Sequence, residues 1–399
     1  MKVLVIDEWI PWPLESGKKI RTFNLISRLA KKHEIIYLSY VSLPEEYDKV
    51  KIMEMNGIRV LPVVDKRTVK WTPMFYVEVL RNFISQDPFS SQYHIRKEYI
   101  EQLQSFLEQE KPDLVHCEWT NYAPYLRYVH NIPCVISSHN VESDIWRRLG
   151  QSGSNTIKRI IGNNQAKKIE RLERYWYPKV EQCIAVSPED KKTIESYGAK
   201  VALVDNGVDL EYYSKSSMEI DVNSIVFTAS FDTFSNQDGA EYFVQRIYPI
   251  IKENRPNIDI WLVGKDPTDK IRSFSRQNPH IHVTGTVEDV RQYIARSILC
   301  VVPLRIGGGS RLKILEALAM KKAVISTTIG AEGLKITHGK NILLADTPDV
   351  FAQSVLDCLE QDSLRNSLAE EGYELVAKNY DWERLANIQD NIWRNIKKN

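Results

Sequence analysis

Short apolar runs rich in Val and Ile alternate along the chain with helix-length segments whose apolar positions recur every third or fourth residue. A strand inside a parallel sheet is covered on both faces and reads as an unbroken apolar run, whereas its crossover helix shows a one-sided pattern. The pattern therefore predicts parallel strands joined by helices. In the first half the strands are "KVLVID", "EIIYLSYV", "IRVLPVV", "DLVHCEW", "CVISSH", "CIAVS" and "VALVDN", with helices from Gly17 to Lys32 and from about Asn155 to Tyr177. In the second half they are "SIVFTAS", "DIWLVG", "IHVTG", "ILCVVPL", "AVIST" and "ILLA". Two doubly wound α/β sheets are expected. The stretch "VVDNGVDLEYYSKSSMEID" holds an Asn-Gly turn and a serine-bearing polar run, which places an interdomain linker near residue 212.

The domains are thus expected at 1–211 and 212–378, followed at 379–399 by a separate amphipathic helix. Asp381 precedes that helix as its cap, and Trp382, Leu385, Ile388 and Ile392 recur along it at helical spacing. A length of 399 residues fits two cores. With 53 basic and 52 acidic side chains the net charge is +1, which provides no field for nucleic acid, so any anion site is local.

Cys117, Cys134, Cys183, Cys300 and Cys358 are scattered without CxxC spacing and read as reduced core residues of a cytoplasmic protein. Met1 leads directly into a strand pattern rather than a secretion signal, and no apolar run approaches the roughly 18 residues that span a bilayer. One segment bears on membranes. Lys158 to Arg174, followed by Tyr175, Trp176 and Tyr177, sets cations beside aromatics, as interfacial helices do. Glu170 and Glu173 interrupt it, so the same segment also reads as a solvated helix face. The first reading implies peripheral contact at the inner membrane face.

Candidate chemistry concentrates in "PLRIGGGSRLKILEALAMKK", Pro303 to Lys322. Three glycines open a helix whose first turn carries Arg311 and Lys313, although helix starts favour anions. In open parallel sheets ligands bind beyond the carboxyl ends of strands, where helix N-termini offer N–H groups to phosphate. Gly307, Gly308 and Gly309 allow close backbone approach, Ser310 is a candidate cap, and Arg311 and Lys313 add charged donors, which suits a diphosphate. A plain glycine turn with solvated cations is the competing reading. Glu316 lies within a helix that is apolar on nearly every face and needs a partner, either a pair of ribose hydroxyls or Lys313 one turn earlier. Neither a Walker A pattern nor GxGxxG occurs here.

In the first half His139 ends a strand before "NVES", either as a loop anchor or as a site residue. Trp9, Trp12 and Trp119 follow strands and suit either stacking on sugar rings or loop packing. Asp7 and Glu8 end the first strand as caps or proton acceptors. No two aspartates are separated by a single residue, and no His/Cys/Asp group has zinc spacing, so metal-independent chemistry is expected.

The stretch "GTVEDVRQYIARSILCVVPLRIGGGSRLKILEALAMKKAVISTTIGAEGL", Gly285 to Leu334, resembles the donor-binding core of the retaining GT-B glycosyltransferases of group 1, particularly bacterial makers of exopolysaccharides and surface glycans. "KVLVIDEWIPWPLESGKKIRTFNLISRLA", "SSHNVES", "AVSPED", "VDNGVD" and "FTASFDTFSNQDGAEYFVQRIYPIIK" match in the expected order, over nearly the whole chain. The resemblance implies two Rossmann-like domains facing across a cleft, a UDP- or GDP-linked sugar held by the second, no separate cofactor, and a last helix that crosses back to the first. It implies that Glu316 binds the nucleotide ribose, Gly307 to Arg311 cradle the diphosphate, and Thr286 and Val287 lie against the base. It places His139 near the transferred sugar and Gly17 near the donor phosphates and acceptor, and on physical grounds Arg311 and Lys313 suit the charge that develops on the leaving diphosphate. The implied activity is transfer to a glycan or lipid-linked acceptor with retention of configuration.

Two positions depart from the family pattern. Gly308 stands where many members carry a second glutamate, and "SFDTFSNQD" lacks their Arg and Lys after the second domain's first strand. Arg305, Arg311 and Lys313 are the nearby cations able to replace that charge. A non-catalytic nucleotide- or glycan-binding subunit and a sugar-nucleotide epimerase are the rival readings.

Overall fold

The computed structural model describes the chain except residues 43, 45, 68–71, 153–155, 215–217, 307–310 and 399, and except the side chains at 152, 158, 397 and 398. Its contacts divide it into Met1–Asp205 with Glu383–Asn399, and Asn206–Trp382.

The first unit is built on β1 (Lys2–Trp9), β2 (Glu34–Val41), β3 (Ile58–Val64), β4 (Leu114–Cys117), β5 (Cys134–Ser138), β6 (Gln182–Ala185) and β7 (Val201–Leu203). They form one seven-stranded sheet in the order β3-β2-β1-β4-β5-β6-β7, and every pairing is parallel. Val3 to Ile6 of β1 are completely buried, because helices cover both faces of this central strand. The edge strand β3 is only partly covered: Ile58, Val60 and Val63 are buried, whereas Arg59, Pro62 and Val64 are exposed. Ser16 caps the helix Gly17–Ala30, its side chain accepting from the Lys19 N–H, and Leu25, Ile26 and Leu29 are buried along it. The helix Trp382–Lys398 packs its later turns into this unit. Its Trp393 is fully buried between the rings of His33 and His116, and its Asp390 meets His33 Nε2 at 2.8 Å.

The second unit is built on β8 (Asp221–Thr228), β9 (Asp259–Val263), β10 (Ile281–Val283), β11 (Ser297–Val302), β12 (Ala323–Ser326) and β13 (Leu343–Leu344). The order β10-β9-β8-β11-β12-β13 is again wholly parallel. Ile225, Phe227, Leu262, Leu299, Ile314 and Leu318 belong to its core. Just past β9, Gly264 has φ +146°, and a Cβ there would lie 1.7 Å from the Ala229 carbonyl oxygen, so only glycine fits beside the end of β8. All five cysteines are free and buried. The two sheets are Rossmann-like, and in each the strand order reverses beside the first strand, between β1 and β4 and between β8 and β11.

Candidate functional site

In the first unit, the loops leaving β1, β4 and β5 bring an acid network to the switch point. Asp7, near the end of β1, is buried and receives Lys18 Nζ at 2.5 Å, the Tyr37 hydroxyl at 2.6 Å and the Glu8 N–H at 2.7 Å. Lys18 belongs to the helix that Gly17 opens, and its ammonium lies 4.9 Å from the centre of the Trp119 ring. Burial opposes the charge on Lys18, but Asp7, Glu8 and Glu118 outweigh it and raise its pKa. Trp119 donates its indole N–H to Glu142 at 3.1 Å.

Directly after β4 stands Glu118, buried and accepting from several sides. His116 Nε2 reaches Oε2 at 2.7 Å, and the Thr22 hydroxyl reaches Oε1 at 2.8 Å. His139, the first residue after β5, places Nε2 2.9 Å from the Glu118 carbonyl oxygen and 3.1 Å from Oε1. Burial alone would raise the Glu118 pKa, yet the hydrogen bonds from His116 and His139 hold it well below the usual carboxylate range. Arg21 lies in the same interior and donates to the Asp205 carbonyl at 2.6 Å; burial pushes its pKa down to about 10 against the pull of Glu118 and Asp205.

The aromatic candidates have separate positions. Trp9 lies under the Arg67 guanidinium at 4.4 Å, Trp12 packs on Phe23 at 5.3 Å, and Trp119 holds Lys18 and Glu142. Glu8 lies 3.4 Å from Arg67 and 3.5 Å from His94.

In the second unit, Gly307, Gly308, Gly309 and Ser310 lie outside the described residues. Immediately after them Arg311 has a left-handed backbone, φ 53°, and begins the helix Leu312–Ala319. Its guanidinium reaches Glu332, at 3.3 Å to the carbonyl oxygen and 3.1 Å to the carboxylate. Lys313 donates to Asn236 Oδ1 at 2.7 Å and stands 4.9 Å from the Phe227 ring centre. It is therefore held against the end of β8 and the "SFDTFSNQD" loop, where the sequence has no cation of its own. Burial drives its pKa down to about 7, with Glu316 opposing and Arg311 adding to the shift. Arg305 is taken up by Asp238, at 3.0 and 2.5 Å, and by the Tyr242 ring.

Glu316 lies one turn beyond Lys313, and the Tyr213 hydroxyl is close enough to act on its carboxylate. Burial raises the Glu316 pKa, with Tyr213 and Lys313 opposing, and the Tyr213 pKa is pushed well up by burial and by that carboxylate. Arg291 extends the cluster. It pairs with Asp289 at 2.6 Å, donates to the Tyr212 carbonyl at 2.6 Å, and lies 3.7 Å over the Tyr212 ring. The loop after β10 carries Thr286, exposed, and Val287, half-buried. Both line a cavity of about 670 Å³ with Trp261, Thr284, Asp289 and Tyr293. Among the described residues no group of three or more His, Cys, Asp or Glu is placed to hold a metal ion.

The structure thus brings Arg311, Lys313 and Glu316 to one end of the second sheet, with Thr286 and Val287 on the loop that Asp289 and Arg291 tie to Tyr212. It brings Gly17 and His139 to one end of the first. Glu118, Tyr213 and Asn236 escaped the sequence reading. The acid that ends "LVHCE", just past a buried histidine, was the available signal for Glu118, whereas Tyr213 sits in the stretch taken as a linker.

Two family models match the chain: residues 17–212 match glycosyltransferase family 4, and residues 222–361 match glycosyl transferases group 1. A 44.6 kDa protein in the cps region of Klebsiella pneumoniae is 20% identical over 169 residues, 41% of this chain and 44% of that protein, so the match spans under half of that relative. A glycosyltransferase of Methanocaldococcus jannaschii is 25% identical over 397 residues, 96% of this chain and 95% of that one. Among solved structures, sucrose-phosphate synthase from Thermosynechococcus elongatus superposes with a TM-score of 0.68 at 16% identity, over 99% of both chains. HepE of Anabaena, solved with UDP and glucose, gives 0.65 at 13% identity, over 98% of this chain and 99% of that one.

Proposed function

The chain belongs to the group 1 glycosyltransferases of GT-B fold, and from that premise we propose that it moves a sugar from a UDP- or GDP-linked donor to a glycan or lipid-linked acceptor, with retention of anomeric configuration, in bacterial surface polysaccharide assembly. The observation that carries this reading is Glu316, a carboxylate on a largely buried helix, near Tyr213 and one turn from Lys313. A ribose offers two adjacent hydroxyls to such an acceptor, and a diphosphate extending toward the helix N-terminus meets Lys313 and Arg311. The solved complexes of HepE with UDP, and with UDP and glucose, support a uridine diphosphate sugar as the first donor class to test.

In this reading the reaction proceeds on the donor's own face. As the bond between the anomeric carbon and the diphosphate oxygen breaks, negative charge grows on the leaving group, and the helix N–H groups, Arg311 and Lys313 stabilise it. The acceptor hydroxyl forms the new bond on the same face, and the departing phosphate takes its proton. His139, fixed through Nε2 by Glu118, presents its other nitrogen to the transferred sugar, and Gly17 leaves room for the phosphates and acceptor. Thr286 and Val287 hold the base. Metal is not required in this scheme, because the protein's cations meet the diphosphate charge.

Titration calorimetry of the purified chain with UDP, GDP, ADP and dTDP, first without metal and then with magnesium, tests the donor assignment. Metal-free binding of one nucleotide is expected, followed by sugar release from its cognate donor. Binding of none, or binding only with magnesium, overturns it.

A further inference from the structure

Replacing a buried charge and its partners by apolar side chains often leaves a fold as stable or more so, and the retention of such a group calls for a use. Glu118 is such a group. Its donors come from separate elements: Thr22 from the helix Gly17–Ala30, His116 from β4, and His139 from the loop after β5. Thr22, His116 and Glu118 are all buried, and so is Trp393 of the last helix, which stands behind His116.

Chemistry fixes the direction of each bond in this network. The Trp393 indole can only donate, which it does to His116 Nδ1 at 3.2 Å, so His116 gives its own proton from Nε2 to Glu118 Oε2 at 2.7 Å. Oε1 accepts from the Thr22 hydroxyl at 2.8 Å and faces His139 Nε2 at 3.1 Å. The same Nε2 lies 2.9 Å from the Glu118 carbonyl oxygen, which can only accept, so Nε2 carries the proton of His139. In the neutral ring Nδ1 is then an acceptor. Among the described residues it has no hydrogen-bond partner, which makes it the open end of an otherwise closed network, just past the carboxyl end of β5.

We propose that Glu118, backed by His116 and Trp393, is a positioning residue that acts through His139, holding its Nε2–H so that Nδ1 accepts a hydrogen bond from a hydroxyl of the transferred sugar. The inference rests on the donor reading above. Phosphate oxygens, like Nδ1 of the neutral ring, only accept, so this ring serves the sugar and not the diphosphate. The carboxylate behind Nε2 fixes the ring's tautomer and angle and raises the basicity of Nδ1, as the outer partners of working imidazoles do.

Long-range proton–nitrogen spectra of the full chain, with the His139 signals assigned through His139→Asn, test this beside glucose release from UDP-glucose and GDP-glucose and calorimetry with UDP and GDP. In the wild type Nε2 of His139 should be the protonated nitrogen, and Nδ1 should shift toward a hydrogen-bonded value with the sugar nucleotide but not with the nucleotide alone. Glu118→Gln should raise the share of rings protonated on Nδ1 and lower kcat on the order of 10- to 100-fold, with KM and nucleotide affinity unchanged. Trp393→Phe should lower kcat about two- to fivefold, again at constant KM, and carries the test where Glu118→Gln does not fold. A proton on Nδ1 in the wild type, wild-type kcat in both variants, or a loss of nucleotide affinity equal to the loss in kcat overturns the inference. Failure of the donor reading is a different result: the wild type then binds neither UDP nor GDP, and the inference falls with it.

Discussion

The indole N–H of Trp393 donates to Nδ1 of His116 across 3.2 Å, joining residues 277 positions apart. An indole can only donate, so Nδ1 of His116 is an acceptor and the ring proton sits on Nε2, facing Glu118. The C-terminal helix thereby fixes a tautomer two hydrogen bonds from His139. Trp393→Phe should cost about 1–3 kcal/mol through lost packing and the lost bond. The checks are denaturant unfolding and imidazole nitrogen chemical shifts, in which Nδ1 of His116 should move toward the value of an unbonded ring.

Glu118 should link stability to acid. Its folded pKa lies below the ordinary 4.5, so its contribution is complete above that value and declines as pH falls toward the depressed one. Glu118→Gln should cost about 2–4 kcal/mol at neutral pH, since the His116 and Thr22 donors and the nearby Arg21 lose a buried carboxylate. The gap between wild type and variant should then close on acidification, in unfolding curves measured from pH 7 downward. A gap that stays constant would place the effect in packing rather than charge.

How far the sequence disclosed this molecule depended on the range of the interactions. Both sheets were legible because a doubly covered strand must be continuously apolar, and Glu316 because a carboxylate in an apolar helix needs a partner. Glu118 was hidden because its partners come from β4, the loop after β5 and the first helix, and only the strand order brings them together. The helix Pro73–Ile84 was unreadable for another reason: apolar residues stand on its outer side, at Leu80 and Ile84, as well as on the side of Phe75 and Val79, so amphipathic periodicity does not single out the buried face. Arg305 looked like a phosphate cation in sequence, yet Asp238 occupies it, a pairing across 67 positions.

Tyr213, close to the Glu316 carboxylate, divides donor binding into two measurable parts. Tyr213→Phe removes the hydroxyl beside the carboxylate and should weaken nucleotide binding up to about tenfold. Glu316→Ala removes the ribose acceptor and should weaken it roughly 10- to 100-fold, circular dichroism remaining that of the wild type. Calorimetry with the preferred nucleoside diphosphate decides, and wild-type affinity in Glu316→Ala would remove this residue from the donor site.

Lys313 couples nucleotide binding to protons. With its pKa lowered to about 7 by burial, the ammonium is only partly formed at neutral pH. A diphosphate beside it favours the charged form, so binding should take up a proton and weaken as pH rises above 7, by up to about tenfold per unit. Calorimetry in two buffers of different ionisation enthalpy counts that proton, and Lys313→Met should abolish both the uptake and the slope. The same substitution should stabilise the ligand-free fold. Between about pH 7 and the ordinary lysine value of 10.5 the unfolded chain holds a proton that the folded chain lacks, so wild-type stability climbs with pH across that window. The variant's advantage should therefore be on the order of 1–3 kcal/mol at pH 7 and vanish above 10.5. A Lys313→Met chain that is less stable than wild type at pH 7 would mean that the Asn236 contact outweighs the cost of burying the amine.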